Sequence, residues 1–144
     1  MIFWRISNYM DLSGKGGWVA PGRWHERGNA VVYCSDHPST CLLEILVWVD
    51  PDQIPKDFQL LKIQAPDDVA VETIDIEPSD LKDIAITRRR GTETLRSNTS
   101  CIVRVPSVIM PEATNILINP NHPDAKRLTI ESAVRYPFDS RLLP

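Results

Sequence analysis

The chain predicts an α+β domain, a mixed sheet interrupted by a few helices, and three observations carry that prediction. Short runs rich in β-branched and aromatic residues recur along its length (IFWRIS, AVVYC, FQLLKIQ, SCIVRV, NILIN). Helical patterning is confined to a few places and does not alternate regularly with the strands, as a doubly wound sheet would require. Finally, 144 residues with 42% apolar and 24% charged content suit one compact domain over residues 1–144, and exclude a disordered tail or a fibrous repeat.

Taken in order, IFWRIS opens the chain as a strand with Arg5 set between Trp4 and Ile6. From Asp11 to Gly28 the density of glycine predicts a long loop with close backbone approaches. Residues Ala30 to Cys34 form the next strand, after which Ser35 and Asp36 offer an N-cap and Pro38 an early-turn proline for a helix. Asp50, Pro51 and Pro55 end that helix. FQLLKIQ and VAVETI are strands separated by APDD. Two helical patterns follow, SDLKDIAI and TETLRS, with the basic run Arg88, Arg89, Arg90 between them as a solvated face. SCIVRV is a strand stopped by Pro106; SVIM and NILIN are short strand candidates; TIESAVRY is a last strand or a short helix.

Glu44 is the one charged residue between His37 and Val49, in an otherwise apolar helix (HPSTCLLEILVWV). Helical spacing places Cys41, Glu44, Ile45 and Trp48 on one face, expected to point inward. An ionised carboxylate buried there costs several kcal/mol unless it is paired, so Glu44 is either half of a buried ion pair or a working acid. Arg23, between Gly22 and Trp24, admits the same two readings: a salt bridge to Glu44, or a planar fork that grips a phosphate or carboxylate beside approachable backbone. Tyr33 fits core packing or a stacking platform.

Other chemistry is disfavoured. SGKGG has neither the Walker nor the dinucleotide-binding spacing. Cys34, His37 and Cys41, even with His25 as a fourth group, match no familiar zinc framework, so no metal site is expected. Ser107 lies in no nucleophile elbow. A net charge of -3 argues against nucleic-acid binding, and no apolar stretch reaches membrane-spanning length, so a cytoplasmic protein is expected. Three cysteines without secretory context predict free thiols.

Taken together, WRIS, GRWHERGNAVVY, CLLEILVW and VPSVIMPEATNILINPNHPDA resemble the RES domain family over almost the whole chain. The family arginine falls on Arg23, its tyrosine on Tyr33, its glutamate on Glu44 and its serine on Ser107. The resemblance implies an ADP-ribosyltransferase-like mixed sheet core with peripheral helices, and a bacterial toxin of a toxin–antitoxin pair. It also implies NAD⁺ as substrate rather than resident cofactor, cleaved at the nicotinamide–ribose bond, with ADP-ribose passing to water, phosphate or a protein side chain. On that basis Glu44 steadies the developing sugar cation, Arg23 clamps the pyrophosphate, Tyr33 stacks on or lines the nicotinamide, and Ser107 contacts the nicotinamide amide or steadies Glu44. Arg5, Trp24 and Asn119 are further candidates for holding the dinucleotide. The implied partners are an antitoxin with a helix-turn-helix DNA-binding domain and a second copy of the chain, with no direct nucleic-acid or membrane contact.

Overall fold

In a computed structural model that describes residues 1–143, seven strands form one mixed sheet. They are β1 (Ile2–Ile6), β2 (Val32–Ser35), β3 (Asp57–Gln64), β4 (Val71–Thr73), β5 (Ile102–Pro106), β6 (Thr114–Ile118) and β7 (Thr129–Pro137), in the order β4-β5-β6-β2-β1-β3-β7. Only β4 and β5 run parallel; every other neighbouring pair is antiparallel. The α+β expectation is met, and TIESAVRY resolves as a strand. SVIM does not form a strand, because Ser107 Oγ accepts from the Met110 N–H at 3.2 Å and folds the segment into a bend.

The helices are α1 (Gly16–Val19), α2 (Pro38–Trp48), α3 (Pro78–Leu81) and α4 (Ile84–Ser97). Alternation along the strands divides the core between the two sheet faces. Val32, Cys34, Ile102, Ile116 and Ile118 pack on one face. Val31, Val103, Val105 and Leu117 pack on the other, against Trp24, Leu81 and Leu95. Register places Tyr33 opposite Leu117 and Ser35 opposite Asn115. Directly opposed residues share a face, so Tyr33, Ser35 and Asn115 stand together on the second one.

The first helical pattern, SDLKDIAI, is split: its SDL lies in α3, while its IAI opens α4, which runs unbroken through the arginine run into TETLRS. Asp83 caps it, its side chain accepting from Ala85 and Ile86 N–H, and Asn98 ends it in the left-handed region at φ 54°. Gly91 falls mid-helix, where glycine is a poor helix former. Packing supplies the reason: a Cβ there would collide with the backbone carbonyl of Trp24. Nor is the basic run simply solvated. Arg88 Nε donates to the Gly22 carbonyl and Arg90 Nη2 to that of Asp75, both at 2.8 Å.

Gly91→Ala is therefore expected to destabilise the fold by about 2 kcal/mol through forced separation of α4 from the Trp24 backbone. Thermal unfolding checks this: a melting temperature lower by roughly 5–10 °C is expected. Gly16→Ala, with nothing within 4 Å of the added Cβ, lacks this penalty and serves as the control.

Candidate active site

Helix α2 carries the acid. His37, not Ser35 or Asp36, is its N-cap: the imidazole Nδ1 accepts from the Ser39 N–H at 3.2 Å, and Pro38 supplies the pre-set first turn. Ser35 lies two residues before the cap, at the end of β2, where its hydroxyl donates to Asn115 Oδ1. One turn along, the buried Cys41 thiol donates to the Trp4 carbonyl at 2.9 Å and ties α2 to β1. The helix face, expected from its sequence to point inward as a whole, does not sink uniformly into the core. Cys41 is buried and Glu44 and Ile45 are half-buried, but Trp48 is 64% exposed, because this end of α2 forms the wall of an open cleft.

That cleft, about 420 Å³, is of a size suited to a small ligand. Glu44 lies in its lining and is held from behind. Its Oε1 accepts from Ser107 Oγ and from Asn115 Nδ2, each at 2.8 Å. Ser107 Oγ already accepts from Met110 N–H, so its own proton is directed to the carboxylate. Asn115 Oδ1 accepts from Ser35 Oγ at 2.8 Å. A flipped amide would set Oδ1 against the Glu44 oxygen, so the carboxylate itself dictates the amide's orientation. Oε2 accepts from no described residue.

Arg23 comes from the loop before β2 and lines the same cleft. Among the described residues neither Arg23 nor Glu44 takes part in a salt bridge, so the buried-pair reading is not the one that forms. The loop is strapped to α4 instead. Thr87 Oγ1 donates to the Arg23 carbonyl at 2.7 Å, Arg88 holds Gly22, and Thr92 Oγ1 accepts from Glu26 N–H at 2.9 Å. The Arg23 backbone is fixed while its guanidinium hydrogen-bonds to no described residue.

Tyr33 anchors this loop from below. Its oxygen accepts from Trp24 N–H at 3.1 Å, and its proton goes to His25 Nδ1 at 2.6 Å. The direction follows from the other ring nitrogen: His25 Nε2 lies 3.0 Å from the Ala20 carbonyl, which can only accept, so Nε2 carries the hydrogen. Burial pushes the Tyr33 hydroxyl far above the ordinary phenol range and pushes His25 below its ordinary value, partly offset by carbonyl contacts. Tyr33 therefore presents its ring to the cleft and keeps its proton within the loop.

The remaining candidates divide. Arg5 lines the cleft, with Nη1 donating to the Asp11 carbonyl at 3.2 Å. Trp24 also borders it, but at 2% exposure its indole belongs to the core. Ser107 is buried behind Glu44 and steadies it. Asn119 requires correction: it does not line the cleft. Its Nδ2 donates to the Leu95 carbonyl and to Asn98 Oδ1, which closes the C-terminal end of α4 against the end of β6. Cys34, His37 and Cys41 do not converge on a point; burial is the main reason that the Cys41 thiol is pushed up to about 11, and His37 caps the helix. Asn115 and Thr87 were not anticipated, and Ser35 and His25 were read from the sequence only as a helix cap and a conceivable fourth metal-ligating group. For Asn115 a signal existed, a lone amide in the apolar strand TNILI.

Comparison with known proteins agrees over the whole length. The family model described as RES domain matches residues 2–139. A Pseudomonas putida (strain KT2440) protein named Toxin Res is 41% identical, covering 99% of both chains. A Sphingobium sp. (strain YBL2) protein named Prs ADP-ribosylating toxin is 33% identical, covering 98% of this chain and 96% of its own. Among solved structures, the M. tuberculosis MbcT–MbcA toxin–antitoxin complex contains a chain of the same fold, with a TM-score of 0.76 and 17% identity over 94% of this chain and 84% of that one.

The depressed His25 pKa has a testable sign. Below the ordinary value of 6.5 the unfolded state takes up a proton that the folded state resists, so stability falls as pH drops from there toward the lower folded value. His25→Gln removes this dependence. The gap in melting temperature between the native protein and this variant should narrow between roughly pH 7.5 and 5.5; a constant or widening gap would contradict the neutral-imidazole assignment.

Proposed function

This chain belongs to the RES domain family, and we propose that it is the toxin of a toxin–antitoxin pair, acting by cleavage of the nicotinamide–ribose bond of NAD⁺. The observation that carries the reading is Glu44: one oxygen is fixed by two neutral donors, and the residue lines a cleft shared with Arg23, which makes no salt bridge among the described residues.

In NAD⁺ the nicotinamide nitrogen is already cationic. When the C1′–N bond breaks, its electron pair neutralises the pyridinium ring, so the leaving group needs no proton and a general acid is dispensable. Positive charge moves to the sugar, and a preorganised anion beside it lowers the barrier. Glu44 Oε2 supplies that anion. Its anchors Ser107 and Asn115 are neutral, so neither places a counter-charge on the carboxylate. Arg23, with Arg5 near, grips the pyrophosphate, and Tyr33 lines the ring pocket. Water or phosphate then attacks C1′ and releases its proton to solvent.

Transfer of ADP-ribose to a protein side chain is the second reading, favoured by the Sphingobium relative, which is named an ADP-ribosylating toxin. It requires the same bond cleavage. The antitoxin is the expected partner, supported by the complex in which the structurally similar chain was solved; its helix-turn-helix domain and a toxin homodimer follow from the resemblance. No helix among the described residues is long and apolar enough to cross a membrane.

Incubation of the purified protein with NAD⁺, with and without phosphate, should release free nicotinamide, and mass analysis of the ribosyl product identifies the acceptor. Unconsumed NAD⁺ would overturn the reading; label appearing only on protein would select transfer. Glu44→Gln keeps an oxygen for Ser107 and Asn115, so it should melt like the parent while turnover falls by about 100-fold or more. Arg23→Ala should raise KM by roughly tenfold with a smaller change in kcat, as expected for lost pyrophosphate contact. An unchanged KM would remove Arg23 from the clamp.

A further inference from the structure

Trp48 closes α2 with its indole 64% exposed, outside both core clusters. Nothing in the fold buries this large aromatic surface, although it lines the cleft. Its position is specific. Trp48 follows Glu44 by one helical turn, and residues so spaced are neighbours on a helix, with Cβ atoms about 6 Å apart. Ile45, Val49, Val108 and Ile109 border the same cavity, so Trp48 belongs to an apolar wall beside the carboxylate.

What such a wall can hold follows from what Glu44 faces, and here the inference rests on the reading of the site given above. The base nearest the reacting ribose is the nicotinamide ring, whereas the adenine lies beyond two phosphates. In the oxidised dinucleotide that ring is a planar cation. An indole face carries the most negative quadrupole among the side chains and attracts a cation placed over it. We propose that Trp48 is the surface on which the pyridinium ring of NAD⁺ stacks, and that this contact makes the site prefer the oxidised over the reduced dinucleotide.

The charge balance of the reaction sets the kinetic signature. As the C1′–N bond breaks, its electron pair neutralises the ring and the positive charge passes to the sugar beside Glu44. Attraction between indole and ring is therefore strongest in the ground state and fades towards the transition state. It strengthens substrate binding without accelerating the chemical step, and it lets neutral nicotinamide leave.

Binding can be measured without turnover in a Glu44→Gln background, by calorimetric titration with NAD⁺, NADH and ADP-ribose. With Trp48 present, NAD⁺ should bind more tightly than NADH. Trp48→Ala should weaken NAD⁺ binding by about three- to tenfold, leave ADP-ribose unchanged and remove most of the preference over NADH. Trp48→Phe, which keeps a smaller ring, should fall between. In the otherwise native enzyme Trp48→Ala should raise KM and leave kcat undiminished. Unchanged NAD⁺ affinity in the alanine variant overturns the proposal while leaving the assignment of Glu44 intact, as does equal weakening for ADP-ribose, which would place the contact at the adenine end. Failure of the Glu44→Gln protein to bind NAD⁺ at all overturns the reading of the site, and this inference with it.

Discussion

One carboxylate oxygen organises this molecule. Glu44 Oε1 receives hydrogen bonds from side chains 63 and 71 residues away along the chain, so a helix, a bend after β5 and strand β6 must all be in place before the acid is held. Hydrogen bonds to a charged group contribute about 1.5–3 kcal/mol each, enough for two of them to offset much of the cost of half-burying a carboxylate. The sheet order makes this convergence possible. Strand β2 lies between β6 and β1, which puts Ser35 beside Asn115 and leaves α2, tied to β1 through Cys41, directly over them.

The opposite charge is managed separately. Arg23 is positioned by its backbone, through Thr87 and the close packing of Trp24 on Gly91, and the loop around it is locked from within by the Tyr33–His25 pair. Had Arg23 closed onto Glu44, both charges would be consumed in a structural ion pair. Satisfying the acid with neutral donors and the loop with carbonyl contacts leaves an anion and a cation facing one cleft. A dinucleotide carrying anionic phosphates and a cationic ring complements that arrangement.

Much of this was legible in the sequence, and the failures have physical causes. Strands such as SCIVRV and NILIN announce themselves because their side chains fill the core on alternating faces, and Glu44 stood out because a charge interrupts an apolar helix. Gly91 concealed the continuity of α4, since a residue that weakens an isolated helix is required there by a contact with a loop far away in sequence. Trp48 was expected inside because spacing on a helix reports which residues share a face, not whether a core or a cleft lies opposite. Asn119, conspicuous in NILINP, proved to be helix-end carpentry just past β6, whereas Asn115 within that strand holds the acid. Which of two asparagines faces the site depends on cross-strand register, which pattern alone does not reveal.

The central claim is that a fixed anion stabilises positive charge on a sugar. The most direct measurement is the secondary deuterium isotope effect at the ribose C1′ hydrogen of NAD⁺ on nicotinamide release, under conditions where the chemical step limits the rate. A clearly normal effect is predicted, because the out-of-plane motions of that hydrogen loosen as C1′ becomes cationic and planar. An effect of unity or an inverse one would contradict the account, since it would mean that no sugar cation develops for Glu44 to stabilise.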